Sequence, residues 1–358
     1  MKRVLVAMSG GLDSSVAAAL LKEQGYTVIG ATMTIWGGEI VPVDAGHRGC
    51  YGPEKERDIE DARRVAEVLG IPFHVLDLKK EFKSQVLDYS RREYLSGRTP
   101  NPCIRCNREV KFDALGEKAR DNGIEFDYFA TGHYARVEYD EKHHRHLLKK
   151  ARDPIKDQSY FLFSLRQKQL GLSLFPVGDH TKEEVREMAS RLGFNVNHKQ
   201  ESQDFIAAGY GSLVKDGVRP GPIMDRQGNV LGQHEGIPFY TIGQRKRLGI
   251  SAREPLYVVG IDAERNTIIA GCREELYHDE LTASGLNWIA DRPTRPIKAK
   301  AKIRYLHREA EAIITPLDED RVSVRFEQPQ MAITPGQAVV FYGGEAVIGG
   351  GTIETLRR

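Results

Sequence analysis

Two cysteines stand three residues apart in "NPCIRCN" (101–107), as Cys103 and Cys106, in a chain of 358 residues that holds only four. Such C-x-x-C spacing suits thiol exchange, so the pair can carry a persulfide that resolves to a disulfide. A third cysteine, Cys50 of "HRGCYGP", follows His47 in an H-x-x-C. With the pair it can complete a zinc site, which closes all four positions and leaves no nucleophile. Alternatively the thiolates of Cys50, Cys103 and Cys106 can hold a [4Fe-4S] iron–sulfur cluster with one iron left open. Of these three readings the cluster leads, on the geometry of its ligation. Cys272 in "IAGCREELY" lies far along the chain and reads as structural.

A second stretch, "MSGGLDSS" (8–15), has a different chemistry. Gly10 and Gly11 remove the Cβ atoms that would keep the backbone from an anion, and amides at a following helix N-terminus point at negative charge. Ser9, Ser14 and Ser15 offer hydroxyl donors, and Asp13 can hold magnesium between phosphates. The plain alternative is a glycine turn with a capped helix. The full Ser-Gly-Gly-x-Asp-Ser between strand and helix favours a phosphate loop, and it is neither the lysine-containing P-loop nor the dinucleotide fingerprint.

These residues need elements to hold them. "RVLVAM" reads as a strand, followed by the Ala/Leu-rich "SSVAAALLKEQG", which stops at Gly25. "TVIGATM" is a second strand, and "ERDIEDARRVAEVLG" sets Ile59, Ala62, Val65, Ala66 and Leu69 on one helical face. "PFHVLDL" and "FDYFATG" supply further strands, so the first part is α/β, a doubly wound parallel sheet covered on both faces. "TKEEVREMASRLG" carries a Thr-x-x-Glu capping box and ends at Gly193, closing a first domain over 1–205. Gly and Pro then dominate, which places a small, mainly β domain at 206–280. "KAKAKIRY", "RVSVRF" and "QAVVFYGG" alternate with period two, the pattern of a small C-terminal β-barrel over 281–358.

Composition sets the outer limits. Apolar residues make up 40% and charged residues 28%, as in globular chains, and net charge is only +2. Any nucleic-acid role therefore rests on local basic patches. The opening "MKRVLVAMSGG" lacks the apolar run of a signal peptide, and no stretch approaches the roughly 20 apolar residues of a membrane span. Sparse cysteine fits a reducing, cytoplasmic setting without a membrane partner.

The phosphate loop resembles that of the N-type ATP pyrophosphatases, which cleave ATP to AMP and pyrophosphate while adenylating an oxygen. "GRTPNPCIRCNREVKF" (97–112), "ATGHYAR" (130–136), "KDQSYFL" (156–162), "FPVGDHTKEEVR", "YTIGQRKRLGI" (240–250) and "TPGQAVVFYGGEAVIGGGTI" together resemble the tRNA-specific 2-thiouridylases, in that family's order and over almost the whole chain. The resemblance implies an adenine nucleotide alpha hydrolase-like domain, a small central domain and a β-barrel. It implies replacement of oxygen by sulfur at carbon 2 of a wobble uridine, with ATP and magnesium as cofactors and tRNA as partner. A cysteine desulfurase relay or free sulfide would donate the sulfur. By the same matching the nucleotide pocket takes Ala7, Met8, Ser9, Gly10, Gly11, Leu12, Asp13 and Ser14, with Met33 near the adenine and Gly132 on the ATP. Facing tRNA would be Asn101, Pro102, Cys103, His133, Lys156, Asp157, Gln158, Arg304, Tyr305 and Gln337. Cys106 matches the catalytic cysteine. The family's second cysteine, its persulfide carrier, falls where this chain has Ile206, within "ESQDFIAAG". The usual two-cysteine relay therefore needs a replacement, and the three readings of Cys50, Cys103 and Cys106 stand as candidates.

The basic residues speak without the family. "RPIKAKAKIRYLHR" (295–308) holds six Lys/Arg and no Asp/Glu. Strand alternation sets Lys298, Lys300, Lys302 and Arg304 on one face, a row suited to a phosphate backbone. Arg245 and Lys246 of "GQRKRLG", with Arg247, add a second basic loop. Two rival functions are an amidating synthetase with the same loop, for which no separate glutaminase domain is evident, and an RNA-binding protein that uses nucleotide as a switch.

Overall fold

The computed structural model describes residues 1–38, 49–52, 55–194, 204–206, 213–214 and 217–356. The chain forms two compact units. The first comprises 1–86, 103–209 and 344–347; the second comprises 87–102, 210–343 and 348–358. Residues 87–102 group with the second unit.

The first unit is built on five parallel strands: β1 (Arg3–Ala7), β2 (Thr27–Thr34), β4 (Phe73–Asp77), β5 (Tyr128–Thr131) and β8 (Ser173–Leu174), in the order β4-β2-β1-β5-β8. Growth in both directions from β1 creates a topological switch, and ligands of such sheets bind beyond the carboxyl ends of the strands there. Register sets Ala7 level with Ala31 and Thr131, so the loops after β1, β2 and β5 emerge at one edge. Helix α1 (Leu12–Glu23) buries the small residues Val16, Ala17, Ala18 and Ala19 against the sheet, and Gly25 ends it at a positive φ of 86°. Helix α2 (Lys55–Leu69) buries Ala62, Val65, Ala66 and Leu69 of the stripe expected from spacing, and leaves Ile59 near its start half-buried. A short pair, β3 (Gly49–Tyr51) with β9 (Asp204–Ile206), runs parallel with Gly49 opposite Asp204 and Tyr51 opposite Ile206. The hairpin β6 (Ala135–Asp140) and β7 (Arg145–Lys150) completes the unit.

The helix Lys182–Arg191 starts as its sequence dictates. Thr181 accepts from the Glu184 amide while the Glu184 carboxylate accepts from the Thr181 amide. Gly193, in the left-handed region at φ 71°, follows its end. The cap matters because Lys182, the helix's first residue, is a buried cation.

In the second unit β10 (Gly221–Met224), β11 (Val230–His234), β12 (Tyr257–Asp262) and β13 (Thr267–Gly271) form a four-stranded sheet over Ile223, Val258, Ile268 and Ala270. Six strands then close a barrel: β14 (Tyr277–Trp288), β15 (Ile297–Lys302), β16 (Ala310–Pro316), β17 (Val322–Met331), β18 (Ala338–Gly343) and β19 (Ala346–Leu356). They run in the order β14-β17-β16-β15-β18-β19, and β14 pairs with β19 to close it. Its interior takes every second residue of β15, Ala299 and Ala301, beside Ile314, Val324 and Phe341. Closure removes free sheet edges. Among the described residues no helix is long and apolar enough to cross a membrane.

Removing the Thr181 hydroxyl tests the cap. Thr181→Ala is expected to lower stability by about 1 kcal/mol in denaturant unfolding, whereas Thr181→Ser retains it. Equal loss in both variants would show that the hydroxyl bond is not what sets this helix start.

Candidate nucleotide and thiol site

The phosphate loop lies where the sheet's switch point requires. Gly10 holds φ 73°, and a Cβ there would sit 2.1 Å from the Asp58 carbonyl oxygen on α2, so glycine is obligatory. Gly132, just past β5, comes equally close: its Cβ would meet the Ser14 amide nitrogen at 2.5 Å and the Asp13 carbonyl carbon at 2.6 Å. The expected pocket residues Ala7 to Ser14 and Gly132 are thereby gathered, and buried Met33 ends the neighbouring strand β2. The serines differ from expectation. Ser14 Oγ donates to the Gly11 carbonyl (3.0 Å) and accepts from the Ser9 amide (3.2 Å), and Ser15 Oγ also donates to Gly11 (2.9 Å). In the first helical turn a serine hydroxyl reaches backbone more readily than a distant ligand.

Asp13 is engaged too. Lys182 Nζ lies 2.7 and 2.8 Å from its two oxygens, and the Tyr134 hydroxyl donates to Oδ1 at 2.9 Å. Lys182 comes from 169 positions away in sequence, at the start of the helix capped by Thr181. Asp13, read as the residue for magnesium, is thus held here by an ammonium and a hydroxyl, and among the described residues no three His, Cys, Asp or Glu side chains are grouped to hold a metal ion.

Beyond Gly132, His133 bonds through Nδ1 to Thr131 Oγ1 (2.8 Å), with its ring near Phe112 and Phe175. Burial first, and the Lys111 charge second, hold its pKa well below the usual imidazole value. Of the expected tRNA-facing trio, Gln158 accepts from the Tyr134 amide (2.9 Å). Buried Asp157 accepts from the Ala151 and Ser159 amides and the Ser159 hydroxyl. Both side chains brace the loop around Tyr134. Lys156 is half-buried.

The cysteine pair sits at a change of helix type. Pro102–Arg105 is α-helical, and Cys106–Ala114 continues with π winding, a local distortion common at functional sites. Cys106 is buried, Cys103 half-buried and Cys50 exposed. Burial pushes the Cys103 thiol up to about 12, with the Cys50 and Cys106 charges adding to it, and Cys106 up to about 11, opposed by Lys111. Cys50 therefore lies near enough to act on both, yet the three are not arranged as metal ligands. The iron–sulfur reading finds no ligand set among the described residues. His47, the fourth ligand of the zinc reading, lies outside the described residues. Cys272 is in the second unit, where its amide bonds Glu275, as a structural role implies.

Within the second unit Lys298 and Lys300 are exposed on β15, though Lys300 meets Glu311 of β16 at 3.6 Å. Lys302 Nζ lies 5.6 Å from the Tyr305 ring centre. Arg304 does not continue the row, because β15 ends at Lys302. Its guanidinium donates instead to the Ile242 and Ala332 carbonyls and the Thr334 hydroxyl. Gln337 likewise turns inward and donates to the carbonyls of Thr99 (2.8 Å) and Pro100 (3.2 Å), bracing the segment before half-buried Asn101 and buried Pro102. Arg245, Lys246 and Arg247 are exposed.

With this geometry in place, known proteins were compared. A family model described as the tRNA methyl transferase HUP domain matches residues 2–207. Models of the PRC-barrel domain and the aminomethyltransferase β-barrel domain match 214–272 and 278–353. The tRNA-specific 2-thiouridylase of Acetivibrio thermocellus is 49% identical, covering 99% of this chain and 99% of its own. That of Moorella thermoacetica is 50% identical (98% and 99% covered), and that of Symbiobacterium thermophilum 51% (99% and 92%). The chain belongs to the tRNA-specific 2-thiouridylase family. In this member of the 2-thiouridylase family the β3–β9 pairing sets Ile206 level with Tyr51, next to Cys50.

The neutral histidine gives this family member a pH signature. A depressed folded pKa means the unfolded chain binds a proton below about pH 6.5 that the folded chain refuses. Stability from neutral His133 is thus fully present above pH 6.5 and lost as pH falls, by up to about 1.4 kcal/mol per pH unit. Denaturant midpoints measured from pH 7.5 to 5.5 should fall less steeply for His133→Asn than for the unaltered protein. Identical slopes would place the imidazole in water.

Proposed function

We propose that this protein is an ATP-dependent tRNA sulfurtransferase that adenylates and then 2-thiolates the wobble uridine of tRNA. Full-length identity near 50% to 2-thiouridylases carries the reading, and the loop around Gly10 and Gly132 supplies the physical means. The uracil C2 oxygen attacks the α-phosphorus of ATP and pyrophosphate leaves. The oxygen, otherwise a poor leaving group, then departs with AMP when sulfur attacks C2. Magnesium enters with ATP as part of the substrate.

The sulfur step is assigned to Cys106 with Cys103, and Cys50 beside them. In the dithiol form, an external persulfide donor, a cysteine desulfurase relay, loads Cys106 with a terminal sulfur. That sulfur attacks C2 and AMP leaves. Attack by Cys103 on Cys106 Sγ then frees the thiouridine and leaves a Cys103–Cys106 disulfide, which a cellular thiol reduces. A cluster, with sulfide as donor, needs the three thiols to draw closer together. The site of action is the cytoplasm. The exposed Lys298, Lys300, Arg245 and Lys246 are the side chains assigned to the tRNA backbone, together with Lys156 and Tyr305; His133 is assigned to the tRNA as a neutral group, and Arg304 and Gln337 act by shaping the segments that carry such contacts.

Nucleoside mass spectrometry of tRNA from a strain lacking the gene should show loss of 2-thiouridine derivatives; an unchanged profile would overturn the function. Cys106→Ala should abolish thiolation while pyrophosphate release continues. Anaerobically purified protein containing iron and labile sulfide, both lost in Cys50→Ala, would assign the sulfur to a cluster; colourless protein active with a persulfide donor would assign it to the pair. Replacing Lys298 and Lys300 by Ser should weaken tRNA binding and flatten its salt dependence by about two counterions. An unchanged salt slope would mean that this face is only solvated.

A further inference from the structure

Residues 244–248 of the second unit form a turn before β12, and three of them, Arg245, Lys246 and Arg247, are exposed cations in a row. Arg247 stands at φ 69°, in the left-handed region where a side chain is disfavoured and glycine is the usual occupant. Its carbonyl accepts from the hydroxyl of buried Tyr240 (3.2 Å), and the Lys246 carbonyl accepts from Gln244 Nε2 (2.9 Å). In a trans peptide the N–H opposes the carbonyl of the same plane. The Arg247 amide is therefore turned away from Gln244 and the Leu248 amide away from Tyr240, and neither has a hydrogen-bond partner among the described residues. Successive amides at a turn of this kind form a concavity for anions. We propose that this turn is an RNA-phosphate site. The Arg247 and Leu248 amides take one backbone phosphate, the three cations take its neighbours, and Gln244 and Tyr240 are positioning residues.

The turn is braced at both ends. Gln244 Oε1 accepts from the Thr241 amide (3.2 Å), and the Gln244 carbonyl accepts from the Val258 amide of β12 (2.9 Å). The Gly243 amide donates to the Val258 carbonyl (2.8 Å), and Leu248 is buried. Just before the turn, Arg304 donates to the Ile242 carbonyl (3.1 Å), and the Thr241 and Thr99 hydroxyls bond each other (3.1 Å). A turn fixed in this way loses little freedom when a ligand binds. Charge then selects the ligand. No carboxylate pairs with Arg245, Lys246 or Arg247 among the described residues, so the turn keeps its positive charge. Side chains of successive residues on a turn diverge. Three such cations cannot all meet one small anion, but they can meet successive phosphates of a polymer. Strain at Arg247 fits the same reading, since sparsely populated backbone conformations cluster at ligand sites. Glycine would relieve it, and would forfeit the guanidinium.

This assignment rests on the tRNA reading and extends it from side-chain charge to main-chain recognition. The full chain, isotopically labelled at arginine and leucine nitrogen, is titrated with an unmodified tRNA transcript and separately with inorganic phosphate. On tRNA binding the Arg247 and Leu248 amide protons should move downfield. Inorganic phosphate should need a concentration at least about a hundredfold higher, because it lacks the linked neighbouring contacts. Gln244→Ala and Tyr240→Phe remove no charge. Each should weaken tRNA binding by about tenfold, the size of one hydrogen bond to a charged group, with the salt slope kept. Arg247→Gly should weaken binding and flatten the slope by about one counterion, while its thermal midpoint rises as the left-handed strain is relieved. Amides that stay unmoved while tRNA binds would overturn the site and leave the tRNA reading intact. Saturation of the same shifts by inorganic phosphate at the tRNA concentration would overturn RNA as the ligand. Unaltered affinity in both Gln244→Ala and Tyr240→Phe would overturn their positioning role. An unaltered protein that binds no tRNA would overturn the tRNA reading together with this site.

Discussion

Backbone approaching backbone is the constraint on which the rest depends. At Gly10 the loop after β1 nearly touches the Asp58 carbonyl, and at Gly132 the loop after β5 nearly touches the first turn of α1. Neither approach admits a methyl group. Three segments from distant parts of the chain can therefore surround one helix N-terminus, where amide groups accumulate partial positive charge. A side chain at either position would force these segments apart by more than the length of a hydrogen bond tolerates. The parallel sheet makes the meeting possible by delivering all three segments at its carboxyl edge.

Electrostatics then decides what the gathered segments can hold. Asp13 alone would place a negative charge at a site meant for phosphate, and Lys182 cancels it. The pair is neutral as a unit but strongly polar, with its positive end set by the capped helix and its negative end by Tyr134. His133 follows the same economy one residue earlier in the motif: burial keeps it uncharged, so it adds no net charge among the aromatic rings of Phe112 and Phe175.

Local chemistry was legible in the sequence, and long-range recruitment was not. The α2 stripe from Ala62 to Leu69, the Thr181 box and the glycine turn at Gly10 follow from spacing within a few residues. Strand alternation held for Lys298 to Ala301 because both faces of β15 keep one environment. It failed at Arg304, where the strand has ended and backbone carbonyls compete for the guanidinium. Gln337 turned inward for the same reason, since two carbonyls of the 99–100 segment needed donors. Lys182 was invisible because its partner lies in another helix, and the sequence shows only that Lys opens a well-capped one. The π winding after Cys106 leaves no periodic mark that distinguishes it from an α-helix.

The sulfur group shows how far a departure from family pattern can be traced physically. Register sets position 206 level with Tyr51, and in a strand successive residues face opposite ways. Tyr51 is buried and stacks on Phe82, whereas Cys50 is exposed on the other face. The other two thiols, Cys103 and Cys106, lie on the helix that follows Pro102. There burial raises both thiols and Lys111 offsets part of that rise.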